Sequence, residues 1–75
     1  MKLSELKMGE KCKVVSIDNE NSLLKRRLLD MGITKDVEIT INKVAPFGDP
    51  VDIKLRGYEL CLRKSDLSTI EVVKL

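Results

Sequence analysis

The rhythm of apolar and polar positions changes several times along the chain, and each change marks an element. Residues 21–33, NSLLKRRLLDMGI, carry a helical rhythm, with Leu24, Leu28 and Met31 at i, i+4 and i+7 on one face. Ser22 is placed to act as N-cap. Gly32 suits the left-handed position just past the helix end, with Ile33 folding back on Leu28. Leu29 falls about 140° from Leu24 around such a helix, well away from the apolar stripe.

The remaining apolar runs are short. Around Leu3 to Gly9, Ser4 is a possible cap for one helical turn that turns Leu3 and Leu6 inward. A first strand is expected over Lys11–Ile17, with Val14, Val15 and Ile17 as its bulk. Val37, Ile39 and Ile41 then alternate with Glu38, Thr40 and Asn42, the period of a half-buried strand. Val44 breaks that parity, which predicts a bulge near Asn42-Lys43. Residues 45–50, APFGDP, punctuate strongly: Pro46 and Pro50 fix φ, Gly48 can take a positive φ, and Asp49 can bond to nearby backbone. Val51–Leu55 and Tyr58–Arg63 alternate again around Arg56-Gly57, a two-residue hairpin turn with Gly57 in the left-handed position. A helical turn at Lys64–Leu67 and a strand over Ile70–Val73 complete the chain. Five short strands and one helix predict a small, strongly bent, mainly β barrel occupying residues 1–75 as a single domain.

Composition narrows the function classes. Fourteen basic residues against twelve acidic give a net charge of +2, too close to neutral to imply nucleic acid. Single-strand binding also needs stacking platforms, and the aromatic residues are Phe47 and Tyr58 alone. The same shortage argues against a groove for proline-rich peptides. There is no histidine, and Cys12 and Cys61 are too few and too far apart to read as a zinc site or disulfide framework. Both thiols are expected to be reduced, partly buried small hydrophobes. No nucleophile–base pair stands out, and the GxxxxGK[ST] phosphate cradle is absent. Asp30, Asp49, Asp52 and Asp66 do not fall at a recognised hard-cation spacing. The expectation is a protein with no cofactor, no metal and no catalytic set. No run reaches the roughly 18 apolar residues of a membrane span, so the cytoplasm is the expected compartment.

Three fragments in order carry a family resemblance: Arg26-Arg27-Leu28-Leu29-Asp30-Met31-Gly32, then Gly48-Asp49-Pro50-Val51, then Arg56-Gly57-Tyr58 followed by Leu60-Cys61-Leu62-Arg63. Together with Leu3-x-x-Leu6-x-x-Gly9 and Ile70-Glu71-Val72, this pattern resembles the FeoA family, the small ferrous iron transport protein A of bacteria. The resemblance implies an SH3-like β-barrel with a helix inserted after the first strand. It also implies a non-enzymatic accessory to FeoB, a membrane ferrous iron transporter with a cytoplasmic GTPase domain. The cytoplasmic portion of FeoB is then the expected partner, met at the inner face of the membrane without direct insertion and without nucleic acid. Two positions depart from the family: Lys35-Asp36 stands where Pro-Gly is frequent, and Cys61 where a small residue such as alanine is usual. A nucleic-acid-binding or repressor-derived regulatory module is the alternative function.

Candidate contact residues follow from the helix. Leu29 opposes the buried stripe and needs either a neighbour from the barrel or a partner. Arg26 and Arg27 are either solvated charge covering apolar surface or contacts to a phosphate or acidic surface. With Asp30 they make the candidate partner-binding set, while Gly32, Gly48, Asp49, Pro50 and Gly57 are assigned to turns.

Overall fold

The sheet is built on β1 (Lys11–Ile17), which pairs antiparallel with β2 (Glu38–Val44) on one side and β5 (Ile70–Lys74) on the other. β3 (Val51–Leu55) and β4 (Tyr58–Leu62) continue from β2, so the strand order is β4-β3-β2-β1-β5 in a computed structural model that describes residues 1–75. α1 (Ser22–Asp30) follows β1, and α2 (Lys64–Leu67) is a single turn between β4 and β5. This is the expected five-stranded SH3-like arrangement with a helix after the first strand.

Two bulges bend the sheet. Register shifts between Ile41 and Lys43, where broken parity predicted it, and again between Val14 and Ser16. The second bulge corrects the expected role of Val15. Val14 and Ile17 lie an odd number of residues apart, so they share a face only if one residue is skipped. Val15 is that residue and stays exposed, while Cys12, expected to be partly buried, is fully buried in the core. The curled sheet closes on one apolar core that includes Leu3, Leu28, Ile33, Ile39, Ile53 and Ile70, each with no exposed surface.

The chain before β1 makes a 3₁₀ turn at Leu3–Glu5, with Leu3 and Leu6 buried. Ser4 does not cap it. Lys2 occupies the cap position, and its N–H donates to the Glu5 carboxylate at 2.5 Å. Lys2 also bridges to Glu71, and Val72 N–H donates to the Met1 carbonyl at 2.8 Å, so this segment covers the outer edge of β5.

The helix α1 is capped one residue earlier than expected, by Asn21 and not Ser22. The Asn21 side chain accepts the Leu24 N–H at 3.0 Å, and its carbonyl accepts the Lys25 N–H at 2.9 Å. An N-cap side chain reaches the third helical N–H, and Leu24 is that residue for a helix starting at Ser22. Leu28 is fully buried, with Leu24 and Met31 packed beside the core. At the other end Gly32 N–H donates to Leu29 and Ile33 N–H to Leu28, at 3.0 and 3.1 Å. Gly32 has φ +95°, so the paired bonds and the left-handed residue form a Schellman stop.

Candidate docking surface

The helix C-terminus is held from outside by the β3–β4 hairpin. Arg56 and Gly57 both take positive φ, 50° and 84°, as a tight hairpin requires. That turn places the Tyr58 hydroxyl to donate to the Met31 carbonyl, and Arg56 Nη2 to donate to Thr34 Oγ1 at 2.9 Å. The connection to β2 turns on Asp36, at φ +70°, the position where the family resemblance leads one to expect glycine. Backbone bonds hold it there: Asp36 N–H donates to Val14, and Val14 N–H to Val37, at 2.8 and 2.9 Å. Aspartate tolerates this region better than most side chains, so the turn survives the substitution.

Asp49 acts at longer range than its own loop. Its carboxylate accepts the Lys64 N–H at 2.8 Å, so it caps α2 where the residue preceding that turn, Arg63, supplies no side-chain cap. This corrects the expectation of a bond to nearby backbone. The loop itself closes through Gly48 N–H to Ala45 and Ala45 N–H to Pro50, with Gly48 at φ +86° and a cis Asp49–Pro50 bond.

The four candidate contact residues do not form one cluster. Arg27 leans toward α2, with Nη2 3.9 Å from Asp66 Oδ2. Leu29 lies toward β1, 39% exposed, on the rim of a groove of about 740 Å³. Arg26 and Asp30 are exposed between these two sides and make no ion pair. In the groove, Ile17 and Leu29 supply apolar surface, and Lys2, Lys25 and Lys35 supply cations.

Two apolar residues that the helical stripe and loop chemistry left unassigned are more exposed than Leu29. Leu23 is 82% exposed, on the side of α1 toward α2, and Phe47 is 99% exposed at the tip of the β2–β3 loop. The wheel that turns Leu29 off the stripe also turns Leu23 off it, on the other side, since a residue adjacent to Leu24 is about 100° away from it. Phe47 carries no periodic signal, lying between Pro46 and Gly48.

The cysteines differ in kind. Cys12 is buried and its thiol is pushed up to about 11 by burial, against a weaker opposing bond from the Ile39 backbone. Cys61 is exposed on β4 opposite Asp52, correcting the expectation that both are partly buried. The hydrogen bond with Asp52 raises its pKa, with desolvation adding to it. Both thiols are free. No three His, Cys, Asp or Glu side chains gather in a way that could hold a metal ion. No helix is long and apolar enough to cross a membrane.

The comparisons agree with this architecture. A family model described as FeoA domain matches residues 1–74. A fusion protein of Porphyromonas gingivalis, described as Fe(2+) transport protein A/Fe(2+) transporter FeoB, is 35% identical over 72 residues. That match takes in 96% of this chain but 8% of the fusion, so the chain spans a small part of that relative's length. The NMR structure of a FeoA-like protein from Clostridium acetobutylicum superposes with a TM-score of 0.93 at 44% identity, covering 100% of this chain and 86% of that one. FeoA of Stenotrophomonas maltophilia, solved in complex with zinc and described as a procaryotic SH3 domain protein, gives 0.86 at 28% identity, covering 97% and 89%. With a family model spanning the whole sheet and both helices, this chain belongs to the FeoA family.

Proposed function

We propose that the chain is a non-enzymatic accessory of bacterial ferrous iron uptake, acting by contact with the cytoplasmic portion of the transporter FeoB. The observation that carries this reading is the Porphyromonas gingivalis relative, in which a matching segment and FeoB are one polypeptide. A fusion holds two modules at a high effective concentration, which favours a contact between them that separate chains must find by diffusion. The protein then works at the inner face of the membrane, reaching it through its partner.

The docking face is the outer side of α1. Arg26, Leu29 and Asp30 present it, with Arg27 at its α2 side. Leu29 keeps 39% of its surface exposed although its neighbour Leu28 has none. Covering the exposed 39% of Leu29 contributes about 0.6–1.2 kcal/mol, roughly a three- to eightfold effect on affinity. Nucleic acid is the poorer fit, because Tyr58 is tied to the Met31 carbonyl and Phe47 stands alone as a stacking surface.

Co-purification with full-length FeoB tests the reading. Leu29→Ser should reduce recovery of the complex several-fold while the domain stays folded. Full recovery with this variant would remove α1 from the interface.

A further inference from the structure

Lysines and carboxylates in the groove beside Leu29 are unequally committed. Glu71 accepts bonds from the Met1 amino group and from Lys2, which sits 3.3 Å away, and these two contacts hold its carboxyl below the usual range. Lys2 is therefore spoken for. Asp18 accepts the Glu20 N–H at 3.0 Å and makes no ion pair, so it leaves one carboxylate charge in the groove. Lys25 meets only the neutral side-chain oxygen of Asn19, and Lys35 makes no ion pair or side-chain hydrogen bond. Two ammonium groups against the one unpaired carboxylate of Asp18 thus leave the groove beside Leu29 with an excess of positive charge.

Resting on the docking face above, we propose that this groove receives an acidic segment of FeoB, an apolar side chain seated against Leu29 between carboxylates that meet Lys25 and Lys35. The charge arrangement selects this occupant. A basic segment would meet a groove that is positive on balance, and a purely apolar one would cover its ammonium groups without compensation. An acidic segment meets both, and charges at the edge of an interface act mainly on encounter rate and choice of partner. The binding is accordingly salt-sensitive, because exposed charges are screened over about 8 Å at 0.15 M ionic strength.

Fluorescence anisotropy of the labelled, intact domain against full-length FeoB in nanodiscs tests this, at low and at high salt. Lys25→Glu with Lys35→Glu should weaken binding roughly tenfold and flatten its salt dependence. Lys11→Glu with Lys43→Glu makes the same change in net charge away from the groove and should bind within about twofold of the unaltered domain. Equal weakening by both pairs would overturn the proposal in favour of bulk charge. An unaffected groove pair beside a weakened Leu29→Ser would overturn the acidic segment while keeping the docking face. If neither the groove pair nor Leu29→Ser weakens binding, or the unaltered domain fails to bind, both fall. Binding to empty nanodiscs of anionic lipid, lost in the groove pair, would assign the lysines to headgroups and overturn the proposal.

Discussion

The Tyr58 hydroxyl stands where a side chain on Gly32 would begin: an added Cβ would overlap its oxygen, and that oxygen is bonded to the Met31 carbonyl. Gly32 is thus required twice, by its φ of +95° and by the residue across from it. Gly32→Ala should cost about 2–3 kcal/mol, combining left-handed strain with overlap. In a Tyr58→Phe background the overlap is gone, and the same substitution should cost only about 1–2 kcal/mol. Urea melts of the four proteins measure the difference, and strictly additive costs would show that the two residues act separately.

Leu28 and Leu29 are neighbours in sequence with opposite duties. Leu28→Ser opens a cavity and buries a hydroxyl, and should cost about 3–5 kcal/mol of stability. Leu29→Ser should cost only about 1–2 kcal/mol, since two-fifths of its surface is already wet. Thermal melts decide it, and a large loss in Leu29→Ser would place that side chain in the core.

Asp49 couples the β2–β3 loop to α2 through one carboxylate. Asp49→Ala leaves the Lys64 N–H without that acceptor and should destabilise the fold by about 0.5–2 kcal/mol, as loss of a helix cap does. Asp49→Asn retains an acceptor oxygen and should recover most of it. Equal losses in the two variants, read by urea titration, would point to the loop and not the cap.

Thiol titration with an aromatic disulfide should find one reactive cysteine in the folded protein and two after denaturation. The reactive one is Cys61, exposed but slowed by Asp52, which disfavours its thiolate. Cys12 is closed in the core with its pKa raised to about 11. Cys61→Ala should abolish the folded-state reaction, and Asp52→Asn should accelerate it.

The strand layout was readable because each strand's alternation is set by which face meets the core, and that signal is local. Lys11–Ile17 and Val51–Leu55 carry the same limits in sequence and in structure. The bulge at Asn42 was visible as a parity error between Ile41 and Val44, whereas the one at Val15 was hidden by three apolar residues in a row-like cluster, any of which would suit the core. Residues acting across the fold escaped. Nothing near Asp49 in sequence indicates Lys64, and nothing in Arg56-Gly57-Tyr58 indicates the end of α1. The groove escaped for the same reason, since Lys2, Lys25 and Lys35 meet only when β1, α1 and the β5 edge are assembled.

Because β1 pairs with β5, one edge of the sheet closes only when two strands roughly fifty residues apart find each other. The local hairpin of β3 and β4 can form early, but the ladder on the β5 side of β1 must wait for that long closure. Folding is then paced by topology and not by the helix, in the slower range of small mixed and all-β domains. A chain halted before Ile70 leaves Cys12, Val14 and Ile17 on an open edge, a state poised for aberrant pairing with another such chain.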